Sequence, residues 1–233
     1  MRRIVFGAMA LSALALGACQ GQGGTPTLDT DEQKASYGIG LNMGSQLAPA
    51  ESMMDMDAFR AGIRDGMAGN DPAIPQEEIQ VALQAFSEAV NEAETQRMAV
   101  EGEANQAAGE AFLAENAQKE GIVVTESGLQ YEVLREGDGA MPVPGDQITI
   151  HYKGTLLDGT QFDSSYDRGE PATFGVTGVI AGFSEGLQLM QVGSQYRFFI
   201  PGELGYGPQG AGGDIGPNAT LIFEVELLEI PEG

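Results

Sequence analysis

Three kinds of hydrophobic pattern follow one another along this chain. Residues 4–16 form an unbroken run of apolar and small side chains behind Arg2 and Arg3. From Asp31 onward the apolar positions recur at helical spacing: Ile39, Met43 and Leu47, then Phe59, Ile63 and Met67. Each set makes one stripe on a helix of 3.6 residues per turn. Thr30 and Gln33 have capping-box spacing, Asp31 and Glu32 suit the positive end of the helix dipole, and Pro49 closes the segment. A second helix is predicted to start near Asp57 and stop near Gly69-Asn70. Two such short helices cannot bury their stripes alone.

One long helix is predicted over residues 75–120, with Pro75 in its first position and Glu77 and Glu78 behind it. Ile79, Leu83, Phe86 and Val90 step by four, three and four, the spacing of a coiled-coil seam. Beyond Val90 the stripe thins to alanines, and Gly102 and Gly109 each weaken a helix by about 1 kcal/mol relative to alanine. So polar a second half is expected to be a solvent-exposed arm, with Gly121 as its stop. The segment reads either as a plain linker or, given the seam and the needy short helices, as a dimerising stalk.

After Gly121 the period changes to two. Leu129, Tyr131 and Val133 alternate with polar residues, as do Ile148, Ile150 and Tyr152, the segment 195–200, and Leu221, Phe223, Val225 and Leu227. Side chains repeat every second residue along a strand, so each set marks one buried face. Asp158-Gly159 suits a hairpin turn, and Phe162, Asp163 and Arg168 follow it. Phe183, Leu187 and Met190 share a face of one short helix. Several strands and a single helix predict an antiparallel α+β domain with the helix on one side.

Charge and composition remove most chemistries. Eleven basic residues stand against 34 acidic ones, a net of −23, which repels phosphate backbones and argues against a nucleic-acid partner. His151 is the only histidine and Cys19 the only cysteine, so no metal set is available. On a strand His151 and Tyr152 point to opposite faces, which makes the histidine a structural or exposed group. No serine has a histidine in a recognisable triad, and neither a phosphate loop nor a dinucleotide fingerprint occurs. An enzyme built from this chain has to work by binding and shape, with no cofactor.

The N-terminal run is too short to span a bilayer, which takes roughly 20 apolar residues. It ends Leu16-Gly17-Ala18-Cys19 and resembles the lipobox of bacterial lipoproteins. That resemblance implies cleavage after residue 18 and acylation of Cys19; the alternative is an ordinary secretory signal. Gln20 after the cysteine resembles lipoproteins sorted to the outer membrane, and the Gly- and Gln-containing residues up to Thr27 read as a flexible tether.

Residues 145–229 resemble the FKBP-type peptidyl-prolyl isomerases, the family that binds rapamycin. The matching pieces are Ile150-His-Tyr-Lys-Gly154, Gly159-Thr-Gln-Phe-Asp-Ser-Ser-Tyr-Asp-Arg168, Val179-Ile-Ala-Gly-Phe183-Ser-Glu-Gly186, Pro201-Gly-Glu-Leu-Gly-Tyr-Gly207 and Pro217-Asn-Ala-Thr-Leu-Ile-Phe-Glu-Val-Glu-Leu-Leu228. The resemblance implies Tyr152, Phe162, Asp163, Tyr206 and Phe223 as catalytic residues. It implies Arg168, Val179, Ile180, Phe183 and Ile215 as substrate-binding ones. Three positions depart from the family pattern. Phe183 replaces a tryptophan floor, Ala172 an aromatic wall, and Ala211 a histidine.

Asp31-Glu-Gln-Lys-Ala-Ser-Tyr-Gly-Ile-Gly40 and the helices that follow resemble the N-terminal region of macrophage infectivity potentiator-type and FkpA-type members. This implies a homodimer, with an all-α dimerisation region and a long connecting helix ahead of a sheet wrapped around one short helix. The expected organisation is a signal at 1–18, a tether at 19–27, helical dimerisation at 28–74, the connecting helix at 75–120 and the isomerase domain at 121–233. The expected partners are proline-containing unfolded or extracytoplasmic proteins, a rapamycin-class macrolide, and the bacterial outer membrane through the lipid anchor, facing the periplasm. The expected function is prolyl isomerisation in the cell envelope, and the alternative is a non-catalytic holdase gripping unfolded chains in the dimer cleft.

Overall fold

The computed structural model describes residues 27–231. The signal segment, Cys19 and all but the last residue of the tether lie outside the described residues. Two compact units divide between Met54 and Asp55. In the first, α1 (Asp31–Leu47) begins at Thr30, whose hydroxyl accepts from the Gln33 amide while the Gln33 side chain accepts from the Thr30 amide. The capping box is formed as its spacing predicts. A 3-10 turn, Ala48–Met53, carries Pro49 in its first turn and ends the helix. Tyr37, Ile39, Leu41 and Met43 stay exposed along α1.

In the second unit α2 (Met56–Ala68) is capped by Asp55, whose carboxylate accepts from the Asp57 and Ala58 amides at 2.9 Å each. Gly69 ends it in the left-handed region with φ 68°. The long helix α3 (Gln76–Asn116) has 41 residues, roughly 60 Å at 1.5 Å per residue. Pro75 is its N-cap rather than its first helical residue.

Seven strands follow: β1 (Ile122–Val124), β2 (Gln130–Arg135), β3 (Gln147–Leu156), β4 (Gln161–Ser164), β5 (Ala172–Gly175), β6 (Gln195–Ile200) and β7 (Leu221–Glu229). The helices among them are α4 (Ser165–Arg168) and α5 (Ala181–Leu187). The sheet runs β1-β2-β6-β7-β3-β4, every pair antiparallel, with β5 also pairing β3. β3 is therefore shared, its first half bonded to β5 and its last residues to β4. Ile148, Ile150 and Tyr152 of β3 join Phe198 and Ile200 of β6 and Leu221, Phe223, Val225 and Leu227 of β7 in one core. Phe183 and Leu187 of α5, with Met190 just beyond it, close that core from the helix side. The fold is α+β, as the alternation predicts.

The second half of α3 is not a free arm. Gly102 and Gly109 are buried, together with Asn116 at the helix end. A Cβ on Gly109 would lie 2.2 Å from the Thr220 hydroxyl, so the residue that weakens the helix in isolation is what lets it approach the sheet. Phe112 meets Phe199 with ring centroids 5.8 Å apart. The Asn116 side chain donates to the Gln130 side chain at 3.0 Å, and Gln130 in turn donates to the Leu113 carbonyl at 2.9 Å. Positions 102, 105, 109, 112 and 116 step by three and four, a seam in which Phe112 is the one large apolar residue among small and polar ones, so that hydrophobicity cannot reveal it. It covers Phe199, the residue that breaks the alternation of β6.

Removing the Asn116 amide strands the buried Gln130 side chain, which costs about 1–3 kcal/mol. Urea unfolding of Asn116→Ala should therefore show a loss of that size. A stability equal to the parent's would mean that α3 is an undocked arm after all.

Candidate active site

The site forms where β3, β4 and β7 converge. Tyr152 pairs with Val225, and Gly154 with Phe223, in the antiparallel register of β3 and β7. Because Gly154 has no side chain, the Phe162 ring lies against it. A Cβ there would fall 2.6 Å from two ring carbons of Phe162 and 2.9 Å from Phe223. Phe162 and Phe223 meet edge to face at 5.4 Å, a favoured aromatic geometry. The hairpin that returns Phe162 is closed by a Leu156 amide donating to the Thr160 carbonyl at 2.8 Å, with Gly159 at φ 87°.

A cavity of about 190 Å³ results, lined by Tyr152, Phe162, Asp163, Phe174, Val179, Ile180, Phe183, Tyr206 and Phe223. Phe183 reaches its floor from the first turn of α5, 4.8 Å from the Phe223 ring and 6.4 Å from Tyr152. Val179 and Ile180 come from the segment that starts this helix, where Ile180 is the N-cap. Tyr206 comes from the loop after β6 and is 40% exposed.

Of the expected residues, Arg168 and Ile215 do not line the cavity. Arg168 stands at the rim, placed one short helical turn after Asp163 by α4. Ile215 is buried in the core cluster, bridged to Ala211. Phe174 is the lining residue that the sequence reading missed. It shares a face of β5 with Ala172, two positions back, and meets Tyr152 edge-on at 5.8 Å. A four-residue strand gave no period to read, but the two-residue spacing from Ala172 was the available clue.

One polar group enters this apolar space. The Tyr152 hydroxyl donates to the Asp163 carboxylate, and Arg168 donates to the other carboxylate oxygen at 2.5 Å and to the Tyr152 oxygen at 2.9 Å. Burial pushes the Asp163 carboxyl up, yet the Tyr152 hydroxyl and the Arg168 guanidinium outweigh it and hold the group below its ordinary value. Burial, helped by the bond to Asp163, pushes the Tyr152 hydroxyl up. The carboxylate is thus kept charged and both of its oxygens are engaged, which leaves it a poor general base. Behind the site Ser165 accepts from the Tyr152 amide at 2.8 Å, and His151, stacked on Tyr166, lies 2.9 Å from the same Ser165 oxygen. His151 packs behind the site and does not line the cavity.

Two family models match the chain. The FKBP-type peptidyl-prolyl cis-trans isomerase model covers residues 139–228, and the domain amino terminal to FKBP-type peptidyl-prolyl isomerase covers residues 32–133. The FKBP-type 22 kDa peptidyl-prolyl cis-trans isomerase of Escherichia coli K12 is 50% identical over 208 residues, 88% of this chain and 98% of that protein. Outer membrane protein MIP of Legionella longbeachae is 40% identical over 221 residues, 95% of each. The crystal structure of FkpA from Escherichia coli superposes with a TM-score of 0.66 at 36% identity, covering 88% of this chain and 98% of that one.

Asp163 has a lowered pKa in the folded protein. Its contribution to stability is complete above the unfolded value, about 3.9, and is lost as pH falls through the lower folded value. The stability gap between the parent and Asp163→Asn should hold steady from pH 7 to about 5 and close on further acidification. Urea unfolding across that range checks it, and a gap that widens in acid would contradict the assignment.

Proposed function

This chain belongs to the FKBP-type peptidyl-prolyl cis-trans isomerases, and on that premise we propose that the cavity between Tyr152 and Phe223 is where an X-Pro bond turns. The observation that carries this reading is the cavity itself, aromatic and aliphatic on all sides with one neutralised charge at its rim. Rotation about a peptide bond faces a barrier of ~18–20 kcal/mol because it breaks amide resonance. The twisted amide is less dipolar than either planar isomer, so an apolar cavity favours it over water. That is differential binding of the transition state, with no bond to make or break.

In this reading Phe162, Phe174, Val179, Phe183 and Phe223 grip the proline ring. The Ile180 amide and the Tyr206 hydroxyl hold substrate carbonyls. The Ile180 amide is suited to this because the N–H of an N-cap residue lies outside the helix ladder. Asp163, Tyr152 and Arg168 orient the rim. A rapamycin-class macrolide presenting a similar ring would compete for the same space. Ile215 acts from behind, as packing under the loop.

The proposed setting is the bacterial envelope. A relative carries the name outer membrane protein, and Leu16–Cys19 offers a lipid-anchor site ahead of the tether. Clients would be proline-containing extracytoplasmic chains, met by an outer-membrane lipoprotein facing the periplasm. The exposed apolar residues of α1, together with Ile63 and Met67 on α2 and Val81 and Leu83 on α3, support a homodimer built from residues 28–74 and the start of the 75–120 helix, with the isomerase domain at 121–233. The exposed methionines also favour a second reading, a holdase surface, since methionine adapts to varied apolar partners.

Phe162→Ala should lose most of its activity on an X-Pro peptide while its melting transition stays cooperative. Suppression of aggregation by the same variant should persist. Unchanged activity would remove the pocket from the reaction, and equal loss of both functions would point to one shared surface. Residues 20–233 should sediment as a dimer, and a monomer mass at micromolar concentration would refute the dimer.

A further inference from the structure

Tyr206 poses a positioning problem. Among the described residues its hydroxyl makes no hydrogen bond, so the backbone of its loop must place it. That loop runs from Tyr206 to Asn218 and closes on itself. The Asn218 amide donates to the Gly207 carbonyl at 2.8 Å, and Ala211 and Ile215 bond each other at 2.9 and 3.2 Å. Asn218 has φ 52°, the one positive value among the described non-glycine residues. Such a backbone needs support from its surroundings.

The support comes from α3. The Asn105 side chain donates to the Pro217 carbonyl at 2.9 Å, and the Asn218 side chain donates to the Gly102 carbonyl at 3.4 Å. A Cβ on Gly102 would lie 3.2 Å from both the Asn218 side-chain nitrogen and the Pro217 Cβ, so the helix touches the loop directly. The path is short and continuous. Asn105 holds Pro217, its neighbour Asn218 holds Gly207, and Gly207 follows Tyr206. We propose that Asn105, on the connecting helix and outside the sheet, is a positioning residue for the isomerase reaction, setting the Tyr206 loop against the cavity. The proposal rests on the reading of Tyr206 as a group that holds substrate.

It follows that the working isomerase includes the second half of α3, and that a chain cut at residue 121 loses a part of its site. Asn105→Ala in the full chain should lower kcat/KM about three- to tenfold, the worth of one hydrogen bond. The helix itself should not suffer, because alanine favours it. Asn116→Ala serves as the control. It loosens the same helix at Gln130, away from the loop, and should leave kcat/KM of the folded protein unchanged. The double variant Asn105→Ala with Tyr206→Phe should be no slower than Tyr206→Phe alone, because the first acts through the second.

Equal effects of Asn105→Ala and Asn116→Ala, or effects of Asn105→Ala and Tyr206→Phe that multiply, would overturn the proposal and leave the Tyr206 reading standing. An unchanged kcat/KM in Tyr206→Phe would instead end that reading, and the proposal with it. If Asn105→Ala does not fold, the isosteric Asn105→Asp, which removes the donor, replaces it in every arm with the same outcomes.

Discussion

The structure turns on the register of β3 against β7. That pairing sets Tyr152 beside Val225 and Gly154 beside Phe223. Slipping β3 by one residue against β7 would send Tyr152 to the opposite face of the sheet and leave His151 over the cavity. The core pattern of Ile148, Ile150 and Tyr152 against Val225 and Leu227 makes such a slip costly, because each buried aliphatic side chain is worth about 1.5–3 kcal/mol. Core packing places the pocket, and a fixed shape is what the proposed shape-driven reaction requires. The glycine at 154 completes it by leaving room for the Phe162 ring.

The rim shows how a charge can sit beside an apolar cavity without serving as a base. Asp163 is only partly buried, with 42% of its side chain exposed, and both its oxygens are bonded. Removing either Tyr152 or Arg168 would leave the carboxylate with less compensation. The three groups act as one neutral unit in which each fixes the orientation of the others. That fits a role in shaping the entrance and not in moving protons.

Much of this was legible in the sequence because the signals were strong and local. The capping box at Thr30 and the turn at Gly159 follow from spacing that has one physical reading, whereas the alternation of β6 holds only as far as Phe198. The cavity residues from Tyr152 to Phe223 came from the family resemblance, since no periodicity distinguishes a pocket aromatic from a core one. The failures share a cause as well. β1 and β5 are strands of three and four residues with too few positions to show a period, and Phe174 was lost with β5. The docking seam of α3 is made of Gly102, Asn105, Gly109, Phe112 and Asn116, and only one of these is hydrophobic. Close approach and hydrogen bonding hold it, and apolar patterning does not register either one.

The central claim is that the site works by binding and shape, with no proton in flight. Asp163 is held below its ordinary pKa and Tyr152 above its own, so the rim keeps one charge state across the neutral range. The decisive measurement is kcat/KM for an X-Pro peptide from about pH 5.5 to 8.5, in water and in heavy water. A flat profile with no solvent isotope effect is what a shape-driven isomerase gives. A bell-shaped profile, or a rate that falls in heavy water, would put a proton transfer in the rate-limiting step and contradict it.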